Sequence, residues 1–303
     1  MRKTKLTIAL INWNTMEMTE DCITSIYESG IDFSFQIILV DNDSVDKDYS
    51  KILKRYTDIK LIKNDKNYGF AYPCNQCWKA SNSEYFLLLN NDTLVKKNAI
   101  KRLVEFLDNN KDYAGVTGKL LNSDGSIQMY MHRRFPTLTR IAFSMLYKRW
   151  NFLKLPPVKN YLYLNQDFNA DFDIEQAAGT LLLLRSNVIN ELGYLFEDKL
   201  FPLYYNDVDL SYRLHKSGFK IRYIAKAEVV HLKGVSTKKL DFTKTLATYV
   251  PSMYYFFKTN KIYSSYIPLR FCLVIVKKLL SVCDRLKILK NANLISFYKN
   301  LDI

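Results

Sequence analysis

The first third of this chain alternates four times between a short apolar run and a stretch of helical spacing, a pattern that few folds accommodate. The runs are Leu6–Ile11, Gln36–Val40, Ile59–Ile62 and Tyr85–Leu89. Between and after them, apolar residues recur at helical intervals: Met18, Cys22 and Ile26; Ile52, Leu53 and Tyr56; a segment from Ala71 through Trp78; then Ile100, Leu103, Val104 and Leu107. Short apolar runs alternating with helices predict βαβ units on a parallel sheet, because a strand buried on both faces has no polar side. The first, second and fourth runs stop abruptly on polar clusters: Asn12-Trp-Asn14, Asp41-Asn-Asp-Ser44 and Asn90-Asn91-Asp92. Parallel strands bring their carboxyl ends to one edge, so these clusters converge there, where ligands of open α/β sheets bind. Alternation along the fourth strand sends Asn90 and Asp92 to one side and Asn91 to the other. Taken singly, each cluster is equally a turn built from Asn and Asp. The first βα turn carries no G-x-G-x-x-G and the chain no G-x-x-x-x-G-K-[ST], which disfavours a dinucleotide fold and a P-loop.

A hydrophobic content of 48% with 24% charged residues fits a folded chain with a full core. The net charge of +14 is uneven: from Lys238 to Ile303 there are 12 Lys or Arg against three acids. A basic surface serves nucleic acid, anionic lipid or phosphate-bearing substrates. A nucleic-acid binder would need its basic residues along the sheet, whereas the excess lies in the last fifth of the chain, so no nucleic-acid partner is expected. Five cysteines, an odd number, argue against a disulfide framework. Cys74 and Cys77 lack a second ligand pair for zinc and read as small buried side chains. No apolar stretch approaches the roughly 20 residues of a membrane span, and the N-terminus has no secretory signal. A reducing cytoplasmic location is the expectation.

Further along, residues 114–121 read as another strand and Asn122–Ser126 as a turn. Residues 122–173 read as a loop-rich excursion, suited equally to contacting an acceptor and to structural cover. A buried strand is predicted at Leu181–Leu184 and a helix near Val188–Leu192. Another helix begins around Asn206 and stops at Gly218. Two strands, Phe219–Ile224 and Glu228–His231, precede a helical, basic region.

Asp207 and Asp209 lie about 200° apart on the helix starting near Asn206 and cannot serve one ligand. Asp209 pairs with Arg213 at i, i+4. Asp207 is left at the helix start without an evident partner, either as a general base or as a helix cap. His231 ends an apolar strand; as a metal ligand it needs a second donor, for which Asp92 is the candidate. His132 and His215 read as exposed, without a supporting pattern.

The ordered set Asn12-Trp-Asn14, Val40–Asp46, Asn67-Tyr-Gly-Phe-Ala71, Leu87–Asp92, Gly179, Asn206–Arg213 and His231-x-x-Gly234-x-Ser236 resembles the family 2 glycosyltransferases, and within them the rhamnosyltransferase-like branch of bacterial cell-surface polysaccharide synthesis. The resemblance spans residues 4–240. It implies an α/β, glycosyltransferase A-type fold with a Rossmann-like, mostly parallel sheet. The catalytic domain would occupy 1–240, with a nucleotide half to about 121, an acceptor half from 122, and a helical basic extension over 241–303. It implies that Asp41 holds the pyrimidine base, with Asn12, Asn14, Ser44, Asn67, Gly69, Phe70 and Asn90 around the nucleotide. Asp92 and His231 would hold Mg²⁺ or Mn²⁺. Asp207 would be the catalytic base of an inverting transfer from a nucleotide-sugar, with dTDP-rhamnose or a UDP-sugar the expected donor. Gly179, Asp209 and Arg213 would support the acceptor side, and the acceptor would be a saccharide, in some members lipid-linked. Two departures stand out. The metal motif has one carboxylate, which predicts modest metal affinity, and Asn206 replaces the usual Glu, which removes a like charge that would raise the pKa of Asp207. A non-catalytic sugar-binding protein on the same fold is the competing reading.

The stretch Leu269–Lys287 is apolar with flanking cations. It suits docking on the anionic inner face of the cell membrane. It suits equally a helix packed on the catalytic domain.

Overall fold

A computed structural model describes residues 4–149, 156–232 and 242–285. Strands β1 (Thr4–Asn12), β2 (Phe35–Asp41), β3 (Lys60–Lys63) and β4 (Ser83–Leu89) alternate with helices α1 (Met16–Glu28), α2 (Ser50–Arg55) and α3 (Ala71–Lys79). All four strands pair in parallel, in the spatial order β3-β2-β1-β4. After the short β5 (Thr93–Val95), α4 (Ala99–Asn109) and β6 (Tyr113–Leu121), the helices α5 (Leu138–Arg149) and α6 (Pro156–Tyr161) and strand β7 (Phe172–Ile174) fill the predicted loop excursion. Strand β8 (Leu181–Arg185), helices α7 (Ser186–Leu192) and α8 (Asn206–Lys216) and strand β9 (Lys220–His231) follow, then α9 (Phe242–Thr259) and α10 (Tyr263–Arg285).

The apolar strands are apolar because both sheet faces are covered. Ile37, Leu39, Tyr85 and Leu87 face the core under α1, α2 and α4, while Ile38, Val40, Phe86 and Leu88 face a second core with Cys74, Cys77, Val188 and Leu210. The period-two alternation of side chains assigns each residue to its layer. Cys74 and Cys77 are buried on α3, as expected, and burial pushes both thiols up.

The structure departs from the sequence expectations in three places. β8, a buried apolar run like those of the parallel strands, lies antiparallel between β4 and β6. The series of strands paired in parallel from β1 therefore ends at β4. The two strands expected over 219–231 are one strand, β9, whose register against β6 shifts between Gly118 and Lys119. A Cβ on Gly118 would lie 2.1 Å from the Ala227 carbonyl oxygen, so the strands meet there only because the residue is glycine. The excursion 122–173 contains two helices and buries Val158, Tyr161 and Leu162. For the C-terminal region, the packed alternative describes α9 and the inner face of α10. Phe256, Phe257, Leu269 and Leu273 form a third core with Ile141, Phe201 and Tyr205.

Candidate active site

The site begins where β4 and β8 run antiparallel, Leu89 opposite Leu181. This pairing brings the residues after one strand beside those before the other: the Asn90 amide donates to the Thr180 carbonyl at 2.9 Å, and its side chain reaches Thr180 Oγ1 at 3.4 Å. Next to Thr180, the Gly179 amide donates to Asp207 Oδ2 at 3.2 Å, and Gln176 Nε2 donates to the same oxygen at 3.3 Å. Asp207 Oδ1 accepts from the Val208 amide at 2.8 Å. Asp207 is thus joined to the end of β4 through two hydrogen-bonded residues, although 115 positions separate it from Asp92.

Asp207 therefore has partners, contrary to its isolated look in sequence. Burial raises its pKa above the ordinary carboxylate value, opposed by the Gly179 and Val208 amides and the Arg133 charge. Asn206 contributes no charge; its Oδ1 accepts from the Asp207 amide at 2.7 Å. Desolvation, not like-charge repulsion, is what raises this carboxylate. Asp209 and Arg213 pair as expected, at 2.8 Å, and Arg213 also donates to the Tyr194 and Leu195 carbonyls. That clamp fixes α8 to the loop before it.

Asp92 and His231 meet across the β5–β9 ladder, in which Thr93 pairs with His231. Asp92 Oδ1 lies 3.3 Å from His231 Nε2, both side chains nearly buried. Gln128 sets the imidazole: its Nε2 donates to the His231 carbonyl at 2.6 Å, which turns its Oε1 towards Nδ1 at 2.9 Å. An oxygen there requires a proton on Nδ1, which leaves the lone pair of Nε2 facing Asp92, available to a cation between them. A buried carboxylate oxygen and an imidazole nitrogen converging in this way suit a divalent ion. Among the described residues no group of three or more His, Cys, Asp or Glu converges. Gly234 and Ser236 lie outside the described residues.

The nucleotide-side candidates divide into three groups. Asn12 is fully buried, and both ends of its amide are engaged. Oδ1 accepts from the Thr15 amide and hydroxyl, Thr19 and Asn91, and Nδ2 donates to Tyr49 at 2.7 Å and to Ser44. It ties β1 to α1 and to the Asn90–Asp92 turn. Ser44 is likewise buried and holds the Asn14 amide, and Asn14, in the left-handed region at φ 57°, accepts from the Val45 amide. Asp41 is buried too, but differs: Oδ1 accepts from the Ser44 amide, whereas Oδ2 has no partner. Finally, Asn67, Gly69 and Phe70 form one loop. It is organised by Asn42, which donates to Asn67 Oδ1 and the Gly69 carbonyl and accepts from Asn64 and Tyr68. The Phe70 and Ala71 amides both donate to the Pro202 carbonyl, and a Cβ on Gly69 would lie 2.6 Å from that oxygen. Phe70 thereby comes to Gly179, beside Asp207: a Cβ there would touch both Phe70 and Asp207.

Sequence reasoning missed Gln128, Gln176, Asn42, Thr180 and Arg133, because lone amides, hydroxyls or cations in irregular stretches carry no local pattern. Arg133 forms an antiparallel bridge with Gln176, which places it beside the segment that holds Asp207. His132, expected to be exposed, is buried, with Nδ1 accepting from the Ala178 amide and Nε2 against the Gly118 carbonyl. Burial lowers its pKa to about 4. His215 is exposed as expected.

A mixed sheet with a parallel nucleotide-type half, polar strand ends and a carboxylate–imidazole pair defines the class of glycosyltransferase A-type enzymes. The match to Glycosyl transferase family 2 over residues 7–171 covers more than half of the chain, which belongs to that family. Rhamnosyltransferase WbbL of Escherichia coli is 24% identical over 258 residues, 81% of this chain and 91% of that one. The N-acetylglucosaminyl-diphospho-decaprenol L-rhamnosyltransferase of Mycobacterium tuberculosis is 26% identical over 233 residues, 73% of each chain. Among solved structures, GalNAc-T7 with UDP, GalNAc and Mn²⁺ superposes with a TM-score of 0.58 at 13% identity, covering 84% of this chain and 50% of that one. Staphylococcus aureus TarS residues 1–349 gives 0.51 at 14% identity, covering 84% and 72%.

Proposed function

We propose that this glycosyltransferase works by inversion, with Asp207 as general base. The donor proposed is a nucleotide-sugar, dTDP-rhamnose first and a UDP-sugar second, and the acceptor a saccharide hydroxyl, lipid-linked in the cell. The observation that carries the reading is the hydrogen-bonded path from Asn90 through Thr180 and Gly179 to Asp207. It puts a desolvated carboxylate beside the strand end that bears Asp92. Desolvation makes Asp207 more basic, and Gly179, Gln176 and Val208 fix its oxygens, so it can take the acceptor's proton as the hydroxyl oxygen bonds to the anomeric carbon. The bond from that carbon to the diphosphate breaks, and the configuration inverts.

Asp92 and His231 would hold Mg²⁺ or Mn²⁺, which when bound neutralises charge on the departing diphosphate. The relatives' names support rhamnose and, in one case, a lipid-diphosphate acceptor. Asp41 Oδ2, without a partner among the described residues, is the acceptor that the ring N–H of a uracil or thymine base would satisfy.

The test is a panel of nucleotide-sugars with Mn²⁺, read by thermal shift and release of nucleoside diphosphate. dTDP-rhamnose should give both signals, and Asp207→Asn should keep the shift and lose release. A sugar-binding protein would shift without release in either form. Silence with every donor would reject the enzyme reading.

A further inference from the structure

Helix α10 presents two faces of opposite character. One is closed: Leu269 and Leu273 enter the third core, and Ser265 Oγ accepts from the Leu138 amide at 3.0 Å. The other is open and apolar. Tyr263, Ile267, Phe271, Ile275 and Leu279 follow one another at intervals of four, with Val282 beyond, and Ile267, Phe271 and Leu279 are 61%, 67% and 61% exposed. None of these packs against any core. Steps of four keep residues on one slowly turning stripe. A continuous exposed stripe of this length on a well-packed helix marks a contact surface.

Charge decides what covers it. Arg270 and Lys278 are exposed on the same helix, Lys277 is half-exposed, and no Asp or Glu occurs from Phe242 through Cys283. A second copy docked on this stripe would bring cations against cations. A water–bilayer interface with anionic headgroups takes both features at once, apolar side chains below the phosphates and cations level with them.

We infer that the open face of α10, centred on Ile267, Phe271 and Leu279, is a docking surface for anionic lipid bilayers. No described helix is long and apolar enough to cross a membrane, so the contact is made by a helix lying in the interface. The face is also coupled to the site. Tyr266 on α10 meets Tyr254 on α9 at 3.3 Å, and Tyr249 on α9 meets Tyr205, the residue before α8, at 3.5 Å. Docking would hold the Asp207 helix near the lipid surface. That benefit rests on the proposed lipid-linked acceptor; the binding itself does not.

The experiment is co-sedimentation of the full chain with vesicles of 30% phosphatidylglycerol in phosphatidylcholine, against pure phosphatidylcholine. Binding at least tenfold stronger to the anionic vesicles is expected. F271D/L279D should lose most of it at unchanged melting temperature, since both side chains touch no core, and R270E/K278E should lose the preference for phosphatidylglycerol. Wild-type protein that stays in the supernatant, or an F271D/L279D protein that binds as well as wild type, would overturn the inference. So would a dimer, seen by sedimentation equilibrium, that the same pair dissociates without any vesicle binding. Diphosphate release with a soluble acceptor, followed in parallel, would persist in F271D/L279D, so failure of docking is distinct from failure of the enzyme reading.

Discussion

Asp207 shows how one carboxylate is given its chemistry by neighbours remote in sequence. Burial raises its pKa, and a base must be ionised, so activity should fall as pH drops through that raised value. For stability the sign is opposite to that of a salt-bridged Asp. A carboxyl whose folded pKa lies above its unfolded one stabilises the fold only while protonated, and that contribution is lost as pH rises through the folded value. Asp207→Asn should therefore leave the neutral-pH melting temperature unchanged or slightly raised, while turnover falls about 10²- to 10⁴-fold. A lowered melting temperature would show that Asp207 is mainly a structural anchor. Asn12 should behave the other way. Asn12→Ala strands the Thr15 amide and hydroxyl and removes the donor to the Tyr49 hydroxyl in a buried space, at a cost of about 2–4 kcal/mol in urea denaturation. Gln128→Ala removes the acceptor that fixes the His231 tautomer. Mn²⁺ affinity, titrated in the presence of nucleoside diphosphate, should weaken about 10- to 100-fold, as for other groups that orient a metal-binding imidazole.

At the scale of elements, α9 stabilises the Asp207 helix from behind, and α10 packs on α9. Tyr205 stands at φ 67°, a conformation costly for a bulky residue, and its ring is held by Tyr249 and Phe256. The start of α8, and with it Asp207, is thus held in place by α9. Phe256→Ala should cost about 3–5 kcal/mol and lower turnover together with stability, measured by thermal melts alongside diphosphate release. The same packing makes removal of residues 262–303 a poor probe of membrane binding, because it would strip Leu269 and Leu273 from the core and promote aggregation. Between β6 and β9 the constraint is steric. Gly118→Ala pushes a methyl group into the Ala227 carbonyl and should open the register that brings His231 to Asp92.

For the whole molecule, the proposed reading has Asp92 and His231 sharing the ion with the diphosphate, so the ion and the nucleotide should bind as a unit. Mn²⁺ alone should shift the melting temperature little. Mn²⁺ with nucleoside diphosphate at a hundred times its Kd should add about 2.7 kcal/mol, several degrees for a chain of this size. A full shift with the metal alone would point to further protein ligands outside the described residues.

The local sequence by itself determined the parallel half. Strands β1 to β4 and their helices were legible because two-sided burial writes itself as apolar runs, and helix faces as steps of three and four. It also determined the Asp209–Arg213 pair, which is a matter of helix geometry alone. Only the tertiary structure decided that β8 enters antiparallel beside β4, which is what brings Gly179 and Gln176 to Asp207. It alone separated the fully engaged Asn12 from the half-engaged Asp41, and divided α10 into a packed face and an open one. The reason is range. Period and spacing record contacts made within a few residues, whereas the hydrogen bonds that fix Asp207 and the His231 tautomer join groups dozens of positions apart.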